Sequence, residues 1–215
     1  MQTATLLGHA TGERIAIGPR AFVLTGFALS GSGEMLAGIA RIEAQAPFRR
    51  MVTPGGFTMS VAMTNCGPLG WVSDEDGYRY SPVDPETGRP WPAIPAALVR
   101  LARDAALLAG FDGFSPDACL VNRYRPGSRL SLHQDRDERD FSAPIVSVSL
   151  GMTATFLFGG HRRSDRPARI ALAHGDVVVW GGEDRLRYHG VAPLRDQPHP
   201  LLGSERINLT FRRAG

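Results

Sequence analysis

After Gly110 the chain breaks into short β-rich runs set close together: "ACLVNRY", "IVSVSL", "ATFLFGG", "RIALA", "DVVVW", "RYHGVAPL" and "RINLTFR". Turn chemistry separates most of them, as in "RPGS", "HGD" and "WGGEDR". Strands this short, bounded by Gly, Pro and Asp, predict a sandwich or barrel in the C-terminal half. Helical period occurs only upstream. Met35, Ile39 and Ile42 form one apolar face, with Ser32 placed as its cap. Leu98, Leu101, Ala105 and Leu108 form a second face, which Gly110 ends. Between them "MVTPGGFTMSVAMTNCGPLGWV" reads as hairpin-rich. Both helices are expected to pack on the outside of one sheet.

A length of 215 residues suits one domain with a real core. No apolar run approaches the roughly 20 residues of a membrane span. The start, "MQTATLLGHATGERIAIG", lacks the basic and apolar regions of a signal peptide. Cys66 and Cys119 sit among apolar or small residues and read as packed thiols rather than a disulfide framework. The expected setting is cytoplasmic, with no membrane partner. Net charge is +3, and all 24 basic residues are arginine. Composition bias accounts for that, although arginine also suits phosphate and carboxylate contacts. The balance is compatible with nucleic acid without demanding it.

Candidate chemistry begins in "SLHQDRDE", Ser131 to Glu138. Residues two apart on a strand share a face, so His133 and Asp135 can aim at one centre. His189, in "LRYHGV", is a third candidate on another strand-like run. Two His and one carboxylate suit non-haem iron(II) with open positions. They suit a zinc hydrolase as well. "RINLTFR" shifts the balance. Arg206, Asn208, Thr210 and Arg212 alternate with Ile207, Leu209 and Phe211. The bland reading is a half-exposed strand. The alternative is a receptor for a dicarboxylate, because two arginines on one face offer charge-assisted, often bidentate bonds. A triad joined to such a receptor is what a 2-oxoglutarate-dependent oxygenase requires.

Together, "MVTPGG", "MSVAMTNCG", "GYRYSP", "PDACLVNRYRPG", "LSLHQDRDE", "PIVSVSLG", "HGDVVVWGG", "RYHGV" and "RINLTFR" resemble the bacterial AlkB family. These are iron(II)/2-oxoglutarate dioxygenases that directly reverse alkylation damage on nucleic-acid bases. The resemblance runs from about Ala46 to Gly215; the preceding residues match only loosely. It implies a double-stranded β-helix, or jelly roll, from about residue 111, with helices and a nucleotide-recognition lid in the first 110. It implies iron(II) on His133, Asp135 and His189, with O2 and 2-oxoglutarate as cosubstrates. Asn122, Tyr124, Arg206, Asn208 and Arg212 match the 2-oxoglutarate pocket, Arg206 with Tyr124 at the distal carboxylate and Arg212 nearer the chelating end. The implied reaction removes alkyl groups from bases such as 1-methyladenine and 3-methylcytosine, releasing formaldehyde, succinate and CO2.

The implied substrate is alkylated DNA, single- or double-stranded, with RNA as the alternative, taken by a monomer. Trp71 matches the stacking aromatic, and Tyr78, Arg79 and Tyr80 match the segment that contacts substrate backbone and base. Asp137 matches an acid near the base edge, where a carboxylate favours a cationic methylated base. Arg163 matches another substrate contact. Read without the family, these are a packed loop aromatic, an ordinary hairpin, a solvated acid and a surface charge. Two positions depart from the pattern: Phe57 stands where tyrosine is common, and Arg136 where lysine is common. The rivals are an oxygenase of the same fold acting on RNA or a small molecule, and a non-catalytic reader of alkylated bases.

Overall fold

Each short run forms a strand, and alternation within the runs sends one set of side chains between two sheets and the other outward. The computed structural model describes residues 11–215, so the reading of the extreme N-terminus lies largely outside the described residues. In chain order come β1 (Arg14–Gly18), β2 (Ala21–Leu24), α1 (Ser32–Gln45), β3 (Ala62–Cys66), β4 (Gly70–Asp74), β5 (Gly77–Ser81) and α2 (Ala96–Leu108). The C-terminal half adds β6 (Ala118–Tyr124), β7 (Leu130–His133), β8 (Ile145–Gly151), β9 (Ala154–Phe158), β10 (Ala168–Leu172), β11 (Val177–Trp180), β12 (His189–Val191) and β13 (Arg206–Arg212). A seven-stranded sheet runs β1-β2-β11-β8-β13-β6-β3, and a four-stranded sheet runs β10-β9-β12-β7. All pairings in both are antiparallel. This is the jelly roll expected from the sequence.

The outer face of the larger sheet is apolar. Val121, Val146, Val148, Ile207, Leu209 and Phe211 pack there against Met35, Ile39 and Ile42 of α1 and Leu98, Ala102 and Ala105 of α2. Both helices therefore cover one sheet from outside. Two details differ from expectation. Ser32 is the first helical residue, preceded by Gly31, and makes no side-chain cap bond. The buried stripe of α2 runs Leu98, Ala102, Ala105 and Ala106, so Leu108 is left half exposed. Small alanines let the helix lie close on the sheet. The end of α2 follows the expected chemistry: Gly110, at φ +84°, lets its own N–H reach Leu107 O and that of Phe111 reach Ala106 O.

Between the sheets lie two apolar clusters. One gathers Val23, Ile145, Val178 and Trp180 with Phe156, Phe158 and Ile170. The other gathers Met63, Leu120 and Tyr124 with Ala154 and Val191. In sheet order the middle of β8 and all of β13 lie between them, and there the inward residues are polar, Ser147 and Ser149 on β8 and Arg206, Asn208, Thr210 and Arg212 on β13. All seven residues of β13 are buried, so its polar side is an interior surface rather than a solvated one.

The region before Gly110 also contributes to the barrel. β1 and β2 extend the large sheet through β11, and β3 closes its other edge against β6. The stretch read as hairpin-rich divides accordingly. Its β3 joins the sheet, whereas β4 pairs only with β5 in a separate two-stranded hairpin. Phe57 is exposed on the tight loop joined by Val52 and Thr58.

Candidate active site and metal centre

His133 ends β7, and His189 begins β12 directly opposite it. Gly190 permits that approach. A Cβ there would stand 2.7 Å from Leu130 O, where the pairing is bulged between His189 and Val191. Asp135 lies two residues after His133 but beyond the end of β7, so the segment following the strand, rather than strand alternation, brings it to the centre. Donor atoms of the three lie within 4.8 Å of one another. Asp135 Oδ1 is 3.6 Å from His133 Nε2 and 3.7 Å from His189 Nε2. Each imidazole also has its Nδ1 beside a main-chain carbonyl, Ser131 O at 2.8 Å and Arg187 O at 3.0 Å. A proton on Nδ1 donated to that carbonyl leaves the Nε2 lone pair turned to the centre.

The charges suit a cation. Burial and the adjacent His133 hold the His189 pKa down to about 4 against a partial lift from Asp135, so the ring is neutral at pH 7, as a metal ligand must be. Burial alone would raise the Asp135 carboxyl. Arg212, the two imidazoles and Arg185 outweigh it and hold the group well below the usual carboxylate range. Its oxygens divide the work: Oδ2 accepts from Arg212 Nε at 2.8 Å and faces Nη2 at 2.6 Å, while Oδ1 faces the histidines.

Along β13 a polar cluster continues inward. Arg206 stands opposite Tyr124, and Asn208 opposite Asn122. Asn208 is saturated: its Nδ2 donates to Ser147 Oγ at 2.8 Å and Val148 O at 2.9 Å, and its Oδ1 accepts from Thr210 at 3.1 Å and Asn122 at 3.4 Å. Arg206 is 1% exposed and donates from Nη2 to Ser149 Oγ at 3.0 Å. Its Nε and Nη1, the Tyr124 hydroxyl and Asn122 Oδ1 are buried without a hydrogen bond. Burial lowers the Arg206 pKa, Tyr124 partly opposing, and raises that of Tyr124 to about 12 against the pull of Arg206. A buried donor left unmet costs about 1–3 kcal/mol, and more when charged. A cation with spare N–H groups beside a protonated phenol fits a carboxylate. The triad and this cluster together fit iron(II) and 2-oxoglutarate, whereas a zinc hydrolase uses only the first.

Comparison with known proteins agrees. Residues 23–212 match the family model of the 2OG-Fe(II) oxygenase superfamily. The alpha-ketoglutarate-dependent dioxygenase AlkB of Salmonella typhimurium is 58% identical over 92% of this chain and 92% of its own. That of Escherichia coli K12 is 57% identical over 94% and 93%. The chain belongs to the AlkB family of iron(II)/2-oxoglutarate dioxygenases. Its fold superposes on the solved structure of OsALKBH1 with a TM-score of 0.82, at 28% identity, over 94% of this chain and all of that one.

Around the AlkB-type centre the substrate candidates divide. Trp71 and Tyr78 stack at 5.5 Å between ring centroids. The Trp71 indole N–H donates to Asp137 Oδ2 at 2.8 Å. Trp71 stands opposite Tyr80 in the hairpin register, which puts Trp71, Tyr78 and Tyr80 on one face. The same alternation sends Arg79 to the other face, where Asp74 holds it with two contacts of 2.6 Å. Arg163 is exposed on the loop from β9 to β10. The Tyr80 hydroxyl turns inward and donates to Glu138 Oε1 at 2.8 Å.

Sequence reasoning passed over Ser147, Ser149, Glu138 and Arg185. The serines had a signal, because they alternate with valine in "IVSVSL" exactly as polar residues do in "RINLTFR". Glu138 and Arg185 had none: a loop acid and a loop arginine are ordinary until folding buries them together.

Proposed function

We propose that the protein oxidatively dealkylates bases such as 1-methyladenine and 3-methylcytosine in DNA, with RNA as the alternative polymer. The observation that carries this reading is the buried Arg206–Tyr124–Asn122 cluster with unmet polar atoms on the inner side of β13, the strand whose Arg212 holds Asp135 of the His133–Asp135–His189 triad. Bound iron(II), with 2-oxoglutarate and O2, supplies oxidation of the N-alkyl group, giving formaldehyde, succinate and CO2 from a methylated base. The chain supplies orientation and exclusion of water. His133, Asp135 and His189 hold the metal. Arg206 and Tyr124 take the distal carboxylate, Asn122 and Asn208 line the pocket, and Arg212 lies toward the chelating end through its contact with Asp135.

Trp71 offers a stacking face to a flipped or single-stranded base. Its bond to Asp137 keeps a carboxylate beside that ring, where it favours a base made cationic by methylation. Tyr78 and Tyr80 extend the same surface, exposed Arg163 is a further substrate contact, and Arg79, on the opposite hairpin face, reaches a single or double strand only by leaving Asp74. One chain provides every element of the site, which suits a monomer. No helix among the described residues is long and apolar enough to cross a membrane, and a cytoplasmic setting is part of this proposal.

The test is formaldehyde and succinate release from methylated oligonucleotides, with iron(II) or 2-oxoglutarate omitted in turn. Both products, dependent on both additions, are expected. Oligonucleotide binding without succinate would identify a reader. Succinate without formaldehyde from any methylated oligonucleotide would identify an oxygenase with another substrate.

A further inference from the structure

Beneath the β4–β5 hairpin lie two acids and two cations, of which the proposed function uses only Asp135 and Arg212. Glu138 Oε1 is 3.3 Å from Arg212 Nε, and its Oε2 is 3.2 Å from Arg185 Nη2. Arg185 Nη1 in turn donates to the main-chain carbonyl of Asp135 at 2.8 Å. Side-chain exposure across the four is 7% or less. Two cations thus hold Asp135, one by its side chain and one by its backbone, and Glu138 touches both. From the far side Tyr80, on β5 of the hairpin, donates to the same Oε1.

Arg212 Nε is contested between two carboxylates, at 2.8 Å from Asp135 and 3.3 Å from Glu138. A hydroxyl donor on Glu138 Oε1 satisfies part of that oxygen's negative charge and weakens its claim on Arg212. The guanidinium then goes to Asp135 Oδ2, and Oδ1 is turned to the two histidines. The Tyr80–Glu138 bond ties the β4–β5 hairpin to the barrel.

We propose that Glu138 is a positioning residue that couples seating of the β4–β5 hairpin, through Tyr80, to the orientation of the metal-binding carboxylate of Asp135. The inference rests on the reading of His133, Asp135 and His189 as the metal site. Coupling of this kind is reciprocal. A substrate that holds the hairpin down tightens the metal, and the metal tightens the substrate by the same factor.

The experiment measures Mn(II) affinity with and without a single-stranded oligonucleotide containing 3-methylcytosine, and oligonucleotide affinity with and without Mn(II). The ratio in wild type is expected in the ordinary range of such couplings, about 5- to 150-fold. Tyr80→Phe retains all four charges and removes only the donor from the hairpin; Glu138→Gln retains the shape. Each should bring the ratio below about twofold, and the double variant should lower it no further. Hydrogen exchange of the amides from 71 to 81 should slow on Mn(II) addition in wild type and change little in Tyr80→Phe. A Tyr80→Phe ratio equal to that of wild type overturns the inference, as does a wild-type ratio of one, while metal binding itself stands. Failure of the wild type to bind Mn(II) overturns the metal assignment and this inference with it. If Glu138→Gln does not fold, Tyr80→Phe alone decides.

Discussion

Arg206 and Arg212 begin and end the same strand, face the same interior and are almost equally buried, yet their surroundings are opposite. Arg212 is closed by Asp135 and Glu138. Burial lowers its pKa, but those acids and Tyr80 more than reverse the effect and raise it. Among the described residues Arg206 has no such anion: burial depresses it, and two of its nitrogens go unmet. The interior surrounds one arginine with acids and offers the other a serine and a phenol. The first is balanced by acids within the folded protein, and the second keeps donors free for the 2-oxoglutarate carboxylate proposed above.

Breaking that comparison at its centre should have the largest effect. Asp135→Ala removes a proposed metal ligand and an anion of Arg212 together, and turnover should be abolished while circular dichroism still reports a folded barrel. Full activity would remove Asp135 from the site. Arg212→Met comes next. It leaves two buried acids short of a cation and should destabilise the ligand-free protein by about 3–5 kcal/mol, the usual result of removing one partner of a buried ion pair. Denaturant unfolding measures this.

Arg206→Met should show the opposite pattern. Ligand-free stability should hold or rise, because a lone buried cation has gone. Affinity for 2-oxoglutarate should fall by about 30- to several-thousand-fold, taking about 2–5 kcal/mol for a buried charged pair and tenfold per 1.4 kcal/mol. Equal destabilisation by the two substitutions would erase the distinction. It is sharpened by adding ligand: 2-oxoglutarate at a hundred times its Kd should stabilise the metal-loaded wild type by about 2.7 kcal/mol and leave Arg206→Met unmoved in a thermal melt. The smallest effect lies outside the barrel. Trp71→Ala should weaken methylated-oligonucleotide binding by about 5- to 150-fold, the equivalent of about 1–3 kcal/mol of stacking. It should spare succinate formation without substrate. A large drop in melting temperature instead would make Trp71 a core aromatic.

Much of the centre was legible because strand geometry is local. Residues two apart share a face, so Arg206, Asn208 and Arg212 could be grouped without knowing where the strands lie; His133 and Asp135 were grouped by the same rule, although β7 ends at His133 and the following segment carries Asp135 to the centre. The β4–β5 hairpin shows the same rule cutting the other way. Tyr78, Arg79 and Tyr80 form one motif in sequence, but consecutive strand residues face opposite sides, and Arg79 parts from its neighbours to join Asp74. β1 and β2 went unread because "RIAIG" and "AFVL" are brief and lie far in sequence from β11, the strand that makes β2 part of the sheet. α2 shows how a stripe can drift. Spacings of three and four are both helical, and only contact with the sheet chose Ala102 and Ala106 over Leu108.

Chain-local periodicity therefore accounts for the strands of the C-terminal half, the alternation along β13 and the grouping of His133 with Asp135 as candidates; the inward direction of the β13 polar face and the choice of His189 as third ligand rested on the family resemblance. Folding accounts for the meeting of His133 with His189 and for the burial of Glu138 with Arg185. It also set the unequal fates of Arg206 and Arg212. Those two arginines are indistinguishable along the strand, because side-chain type and alternation are properties of neighbours in sequence. Whether a buried cation has an anion depends on residues far off in the chain, Asp135 in one case and Ser149 and Tyr124 in the other. The electrostatics of the interior exist only once those distant strands have packed.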